Sequence, residues 1–424
     1  MTHPMRNDAI PYQDTYREGW PIGTKGVWVE SKDSGQYNLL EEDISLPAAV
    51  ISQAALTNNL TWMQTFADKN GVKLCPHGKT SMTPTLFKQQ LATGAWGMTI
   101  ATPAQAEVAV AMGAKNIIIA NQLVGKANMA SIAALQSENV VDIYCSVDSR
   151  QNVEQLSAFF SAKNQRMKVF VELGVSGGRC GVRGTEAAAE LARYIHALPG
   201  VALAGVEVYE GVIHGDDMEN RIRAFIEDTA QFCQSLNNEG LIDTPDTILT
   251  GAGSAWYDIV ADVFSRYADL LPVIRPGCYV THDSGIYRAA QEKVNARAKQ
   301  RQGIAAQIEG DLQNALEVWA YVISLPEKGK AVIGLGKRDA AYDAGLPLAE
   351  RGFRQGKAID VSGLVATAVM DQHTFMDVPE HSDLQVGDIL TFSTSHPCLT
   401  FDKWRYIALS DENCVVREWM TTQF

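Results

Sequence analysis

No apolar run in the 424-residue chain is long enough to cross a bilayer, which takes about 20 residues. Its first residues, MTHPMRNDAIPYQD, lack the apolar stretch of a secretory leader. Cysteine is sparse: seven residues, at 75, 145, 180, 233, 278, 398 and 414, with no CxxC pair. An odd, scattered set of this kind argues against a disulfide framework and fits a reduced compartment. These absences predict a soluble, cytoplasmic protein. A Lys/Arg cluster is also missing, and 36 basic against 49 acidic residues leave a net charge of −13. That balance speaks against nucleic acid or an anionic membrane as a partner. What the chain does have is 46% hydrophobic and only 20% charged residues, enough to bury a full core.

From about residue 50 to 285, short β-branched runs alternate with longer amphipathic stretches. Leu56, Leu60, Met63 and Phe66 recur at helical spacing, and VKLC follows at 72. Further strand candidates are GMTI (97), NIII (116), VDIYCSV (141), KVFVEL (168), LAGVEVY (203), TILTG (247) and LLPVI (270). Helix candidates start near Thr83, Pro103, Gly125, Ser149, Thr185, Asp216 and Ser254. Pro103 suits a first helical turn, and Thr185 and Asp216 can cap helices. Eight such units predict a closed (β/α)8 barrel of TIM type; an open doubly wound sheet can be written from the same pattern. Beyond about residue 305, LEVWAYVIS, KAVIGLG, IDVSGLVATAVM, DILTFS and WRYIALS predict an antiparallel β-domain. GVWVES, near the N-terminus, is expected to add a strand to it. The expected units are therefore a barrel over 46–304 and a β-domain made of 1–45 and 305–424.

Five motifs carry candidate chemistry. CPHGKT puts Lys79 directly after the first barrel strand, where an amine can be desolvated for imine chemistry. TGAGSAWYD follows the seventh strand: its glycines let backbone approach an anion, and Ser254 can cap the next helix and bond phosphate. ELGVSGGRCGV places Arg179 in a Gly-rich loop after the fifth strand, and VYEGVIHG turns Tyr209 and His214 toward the same mouth. RPGCYVTHDSGIY brings Arg275, Tyr279, His282 and Asp283 off the eighth strand. In STSHPCLTFDKWR, His396 and Cys398 stand two apart, which on an extended strand puts both on one face. Imidazole plus thiolate suits Zn²⁺. Each motif alone also reads as ordinary loop or core structure.

Together, PHGKT, the glycine loop after the seventh strand, RPGCY and SHPC resemble the D-serine dehydratase and D-threonine aldolase group of pyridoxal-phosphate enzymes. That group is related in fold to alanine racemase. The resemblance runs from about residue 45 to the C-terminus. It implies a barrel of alanine racemase type (fold type III of the pyridoxal-phosphate enzymes), a C-terminal β-domain and a homodimer. It implies that Lys79 bears the cofactor, that Gly253 and Ser254 bind its phosphate, and that Arg179, Tyr209 and His214 lie near its ring. His396 and Cys398 match the Zn²⁺ ligands of the dehydratases, whereas the aldolases place an acidic residue where Cys398 stands.

The activity expected on this basis is β-elimination from a small D-β-hydroxy amino acid, D-serine first, giving pyruvate and ammonia. Lys79 would take the α-proton and Zn²⁺ would polarise the β-oxygen. The alternative is metal-dependent aldol cleavage of D-threonine or 3-hydroxy-D-aspartate. An amino-acid racemase and a non-catalytic cofactor-binding protein are further readings of the same fold.

Overall fold

In the computed structural model, residues 16–424 are described, apart from 18, 19, 22, 29 and 139. Eight parallel strands form the larger structural unit: Lys73–Leu74, Met98–Ile100, Asn116–Gln122, Asp142–Val147, Met167–Gly174, Val201–Val208, Ile248–Gly251 and Leu271–Ile274. The eighth strand pairs with the first. A parallel bridge between His77 and Thr99, with the Thr99 amide donating to the Pro76 carbonyl at 2.8 Å, joins the first strand's end to the second. The sheet is thus a closed barrel, not an open doubly wound sheet.

Helices form where the amphipathic stretches predict them, for example Gln53–Asn70, Pro103–Ala111, Arg150–Ser161, Thr185–His196 and Met218–Asn238. Pro103 does open its helix, and Ser149 caps the next but one by accepting from the Asn152 amide. Two expected caps differ. Gly184 precedes the helix at Thr185, and Asp217 rather than Asp216 precedes Met218, its carboxylate accepting from the Asn220 side chain at 2.7 Å rather than from a helix backbone amide. A glycine and a left-handed aspartate take over because the chain must turn sharply out of the barrel mouth there.

The barrel interior is built in layers. Cys75, Ile118, Tyr144, Phe170, Ala204, Ile248 and Val273 form one buried apolar cluster, with Tyr144 and Phe170 rings stacked at 5.2 Å. Two residues further along most strands, the next inward positions are His77, Ala120, Ser146, Glu172, Thr250 and Arg275. The sixth strand departs from this count. Its register slips between Leu203 and Gly205, so that Glu207, three residues beyond Ala204, pairs level with Glu172. A bulge of this kind re-aims side chains next to active sites.

The second sheet runs in the order Lys357–Ile359, Leu348–Arg354, Ile389–Ser393, Leu316–Glu327, Ala48–Ser52, Tyr406–Ser410, Val415–Thr421, Tyr37–Asn38, with Lys330–Ile333, Thr374–Asp377 and Val365–Val369 branching from it. Its pairs are antiparallel except Ala48–Ser52 against Tyr406–Ser410. Two expectations are corrected. Ala48–Ser52, which a boundary at residue 46 gives to the barrel, is hydrogen-bonded into this sheet. GVWVES supplies only an isolated bridge from Trp28 to Ile44, with Val29 outside the described residues; Tyr37–Asn38 makes the N-terminal strand instead. Both follow from packing: Ala48 and Val50 share an apolar cluster with Trp319, Ile389 and Ala408. Barrel helices and β-domain residues also share one core, including Leu56, Phe66, Leu316 and Phe392. Among the described residues, no helix is long and apolar enough to cross a membrane.

Candidate functional site

A cavity opens at the C-terminal mouth of the barrel, under the loop that follows Ile389–Ser393. Its walls include Lys79, Arg179, Tyr209, Gly253, Ser254, His396 and Cys398. These seven sequence-predicted residues come from four barrel loops and the β-domain. The eighth, His214, is exposed and lines an adjoining cleft with Met218 and Trp256, not the wall around Lys79. The short helical turn Glu210–Val212 carries the chain outward before His214 is reached.

The cavity floor is the polar barrel layer. Arg275 and Glu207 form a buried ion pair at 2.9 Å, their side chains 4% and 1% exposed. Arg275 also donates to the Val208 carbonyl at 3.2 Å, and the Ser146 hydroxyl bonds the other Glu207 oxygen. Beside them Glu172 accepts from Gln122 at 2.6 Å. Burial, and then the Glu207 charge, push the Glu172 carboxyl up to about 7. His77, on the same wall, is driven well below the ordinary imidazole range by burial and by Lys79 and Arg275 nearby.

Lys79 sits in the turn Gly78–Thr80, forced by its position between the first strand and helix Pro84–Thr93. Its side chain is exposed in the cavity mouth. Across the cavity the Arg179 guanidinium lies over the Tyr209 ring, 4.7 Å from its centroid. Ser254 does not cap a helix: the next one begins at Tyr257, after Trp256. Instead its hydroxyl accepts from two backbone amides, Gly277 and Cys278, each at 3.2 Å. Two amides converging on one oxygen make an oxyanion cradle. Gly277 has to be glycine, because a Cβ there would stand 2.5 Å from the His77 carbonyl oxygen. A Cβ on Gly253 would meet the Tyr209 ring at 2.9 Å, and its amide donates to buried Glu210 at 2.8 Å.

The histidine–cysteine pair is adjacent to this wall. The extended-strand expectation is corrected: the strand ends at Ser393, His396 lies in the loop, and Cys398 opens a helix of four residues behind Pro397. Proline's fixed φ favours that helical turn. The two side chains still meet. His396 Nδ1 lies 2.7 Å from Asp343, which leaves Nε2 for another partner. Cys398 Sγ lies 3.4 Å from Thr80 Oγ1 and 3.6 Å from Cys278 Sγ. The Cys278 thiol, His396 and Thr80 pull Cys398 well below the ordinary thiol range, while Cys398 and Asp343 raise His396 to about 9. Cys278 itself is held far above the usual range by its bond to Cys398 and by burial.

The other RPGCYVTHDSGIY residues divide. Arg275 is the floor; Tyr279 is buried with its hydroxyl accepting from Gln90 at 3.1 Å. Asp283 caps helix Ile286–Arg301 by accepting from the Gly285 and Tyr287 amides at 2.9 Å each, and His282 is turned to a separate pocket. Sequence reasoning missed Cys278, Tyr287, Asp343 and Glu207. Cys278 and Tyr287 stood inside a motif already singled out; Asp343 and the bulge that aims Glu207 leave no spacing signal.

Residues 51–284 match the family model "Alanine racemase, N-terminal domain" and residues 315–410 match "Putative serine dehydratase domain". The chain belongs to the alanine racemase-like family. Within it, the chain is 30% identical over 383 residues to a D-threonine aldolase of Arthrobacter sp., covering 88% of this chain and 90% of that one. It is 28% identical over 380 residues to the D-threo-3-hydroxyaspartate dehydratase of Delftia sp. strain HT23, covering 84% and 92%. Solved structures of that dehydratase include a His→Ala variant and, two positions on, a Cys→Ala variant in the metal-free form. The crystal structure of a D-threonine aldolase from Filomicrobium marinum has the same fold, with TM-score 0.75 and 23% identity over 90% of this chain and 95% of that chain.

Proposed function

We propose that this family member is a pyridoxal-phosphate- and divalent-metal-dependent lyase of D-3-hydroxy amino acids, cleaving the Cα–Cβ bond of D-threonine-type substrates. The observation that carries it is the contact between Cys398 and Thr80, which sets the histidine–cysteine pair beside the lysine turn. D-serine, the first expectation, is supported only by the match of residues 315–410 to the serine dehydratase domain model; the named relatives act on D-threonine and on 3-hydroxyaspartate, which supports the alternative better.

The residues fit both groups. The Gly277 and Cys278 amides with the Ser254 hydroxyl suit a phosphate, and the Arg179–Tyr209 stack offers a flat wall for a ring. His77 Nδ1 and Thr250 Oγ1 are buried without a hydrogen-bond partner, as atoms awaiting a ligand would be. Imidazole and thiolate suit Zn²⁺ or a similar cation. When bound, the cofactor takes up the electron pair left at Cα and the cation polarises the β-oxygen. Lys79 would hold the cofactor's aldehyde carbon and, once the β-hydroxyl has lost its proton to solvent and the Cα–Cβ bond has broken, would return a proton to Cα. Arg275, locked by Glu207, keeps a fixed positive charge under the cavity. His396 and Cys398 would hold the cation on the β-domain side of the cavity, where it would meet the β-hydroxyl.

A second reading, β-elimination from a 3-hydroxyaspartate-type substrate, is favoured by Cys398, since a cysteine also stands two positions after a histidine in the variants of the related dehydratase that have been solved. Purified holoenzyme offered D-threonine, D-threo-3-hydroxyaspartate and D-serine separates the outcomes. Glycine plus an aldehyde supports aldol cleavage; an oxoacid plus ammonia supports elimination. Full turnover after complete metal removal overturns both.

A further inference from the structure

We propose that Cys278 and Cys398 form a reversible disulfide, made by hydrogen peroxide, that switches off the metal end of the cavity. The switch rests on the reading that Cys398 is a metal ligand.

Contact between the sulfurs is the first argument. Cys278 Sγ and Cys398 Sγ stand 3.6 Å apart, both as free thiols. A disulfide is about 2.05 Å long, so each sulfur has to move by less than about 1 Å to close one. Buried Thr80 touches both, its Oγ1 lying 3.8 Å from the Cys278 sulfur and 3.4 Å from that of Cys398. The bond joins residues 120 apart in sequence and ties the loop after the eighth barrel strand to the β-domain.

Access is the second. Both side chains line the cavity, and Cys398 is only half-buried there. A peroxide entering the mouth meets the Cys398 sulfur with its resolving thiol alongside. The chemistry balances in two steps. The Cys398 thiol takes one oxygen from the peroxide as the O–O bond breaks, giving a sulfenic acid and water. The Cys278 sulfur then displaces that oxygen, which leaves with the Cys278 proton as a second water, and the S–S bond forms. Two thiols are oxidised and one peroxide is reduced. The other cysteines lack this combination: Cys75, Cys145 and Cys233 are fully buried, and half-buried Cys180 faces Asp148 and Glu172 instead of a thiol.

The third is what the bond does to the site. A metal is bound by the thiolate, so a sulfur spent on a disulfide removes Cys398 from the cation and leaves His396 alone. The Cys278 amide belongs to the Ser254 cradle while its side chain faces Cys398, so the bond also reaches the anion end of the cavity. A cation already on Cys398 masks its sulfur, which makes the filled site resistant and the empty one sensitive. All seven cysteines are free, and transient, redox-sensing disulfides are the kind found where thiols are otherwise kept reduced.

The test divides holoenzyme into a metal-stripped and a zinc-reloaded portion and treats both with hydrogen peroxide. In the stripped portion the free thiols should fall by two from seven per chain, with the Cys278 and Cys398 peptides joined in the mass spectrum until dithiothreitol is added. Zn²⁺ affinity of the oxidised chain, by chelator competition, should weaken about tenfold or more and return on reduction. The zinc-reloaded portion should oxidise several-fold more slowly. Cys398 carried to sulfinic acid with no joined peptide, or joined to a different cysteine, overturns the switch and leaves the metal reading standing. In Cys278→Ser, which lacks the resolving thiol, zinc binding should be lost without recovery in dithiothreitol; recovery equal to wild type also overturns the switch. A joined, reversible pair with unchanged zinc affinity, or equal oxidation with and without zinc, overturns the metal reading on which the switch depends.

Discussion

Thr80 and Cys398 are 318 residues apart in sequence, and their side chains meet at 3.4 Å. One neighbours the lysine that follows the first barrel strand; the other opens a helix in the loop between Ile389–Ser393 and Tyr406–Ser410. The cavity exists only because these two segments close on each other, and each prediction below probes one side of that closure.

Lys79→Ala is expected to abolish turnover and the visible absorbance of bound cofactor. Because Lys79 is exposed, stability should change by no more than about 0.5 kcal/mol. Absorbance spectra and thermal melts of the variant check both; surviving activity removes Lys79 from the reaction.

Asp343→Asn tests the orientation of the imidazole. The carboxylate is partly exposed and bonds His396 at 2.7 Å. Its loss should weaken metal binding by about 10- to 100-fold while the fold stays intact. Titration with a metal-indicator dye reads this, and an unchanged affinity would show that Asp343 only decorates the loop.

Gly277→Ala should cost stability and cofactor together. The new Cβ falls 2.5 Å from a backbone oxygen, which cannot rotate away. Overpacking of that kind costs about 1–3 kcal/mol, and the displaced amide leaves the Ser254 cradle. Denaturant unfolding alongside cofactor content after dialysis measures the two effects.

Arg275→Met would leave Glu207 buried without its partner, a loss of about 3–5 kcal/mol. Restoring an apolar floor with Glu207→Leu in the same chain should recover much of it. No recovery in the double variant would mean that the ion pair holds the fold by another route.

Glu172 sets a pH dependence. Its carboxyl is raised from 4.5 to about 7 in the folded chain, so the neutral acid is favoured by folding. The contribution to stability is full below the unfolded value and is lost as pH rises through about 7. Glu172→Gln should therefore flatten the decline in melting temperature between acidic and mildly alkaline buffer; parallel curves for variant and wild type would exclude it.

The barrel was legible because each of its eight units carries a local signal. A strand buried on both faces reads as a short β-branched run, and an amphipathic helix reads at its own period. Positions at strand ends, such as Lys79, Ser254 and Arg275, inherit a place from that pattern. Three things were not legible. The bulge that turns Glu207 inward depends on one glycine meeting a neighbouring strand. The exchange of Ala48–Ser52 into the second sheet depends on which edge is free. The helical turn at Cys398 depends on Pro397 and on what packs beneath it.

Sequence by itself determined the alternation of strands and helices, the residue types at the barrel mouth and the soft-ligand character of the His396–Cys398 pair, because these are properties of short segments. Tertiary structure alone decided that Cys278 and Asp343 join that pair, that His214 is left outside and that Glu207 faces Arg275. Those are distances between segments far apart in the chain, fixed by how the second sheet packs on the barrel rather than by any spacing along it.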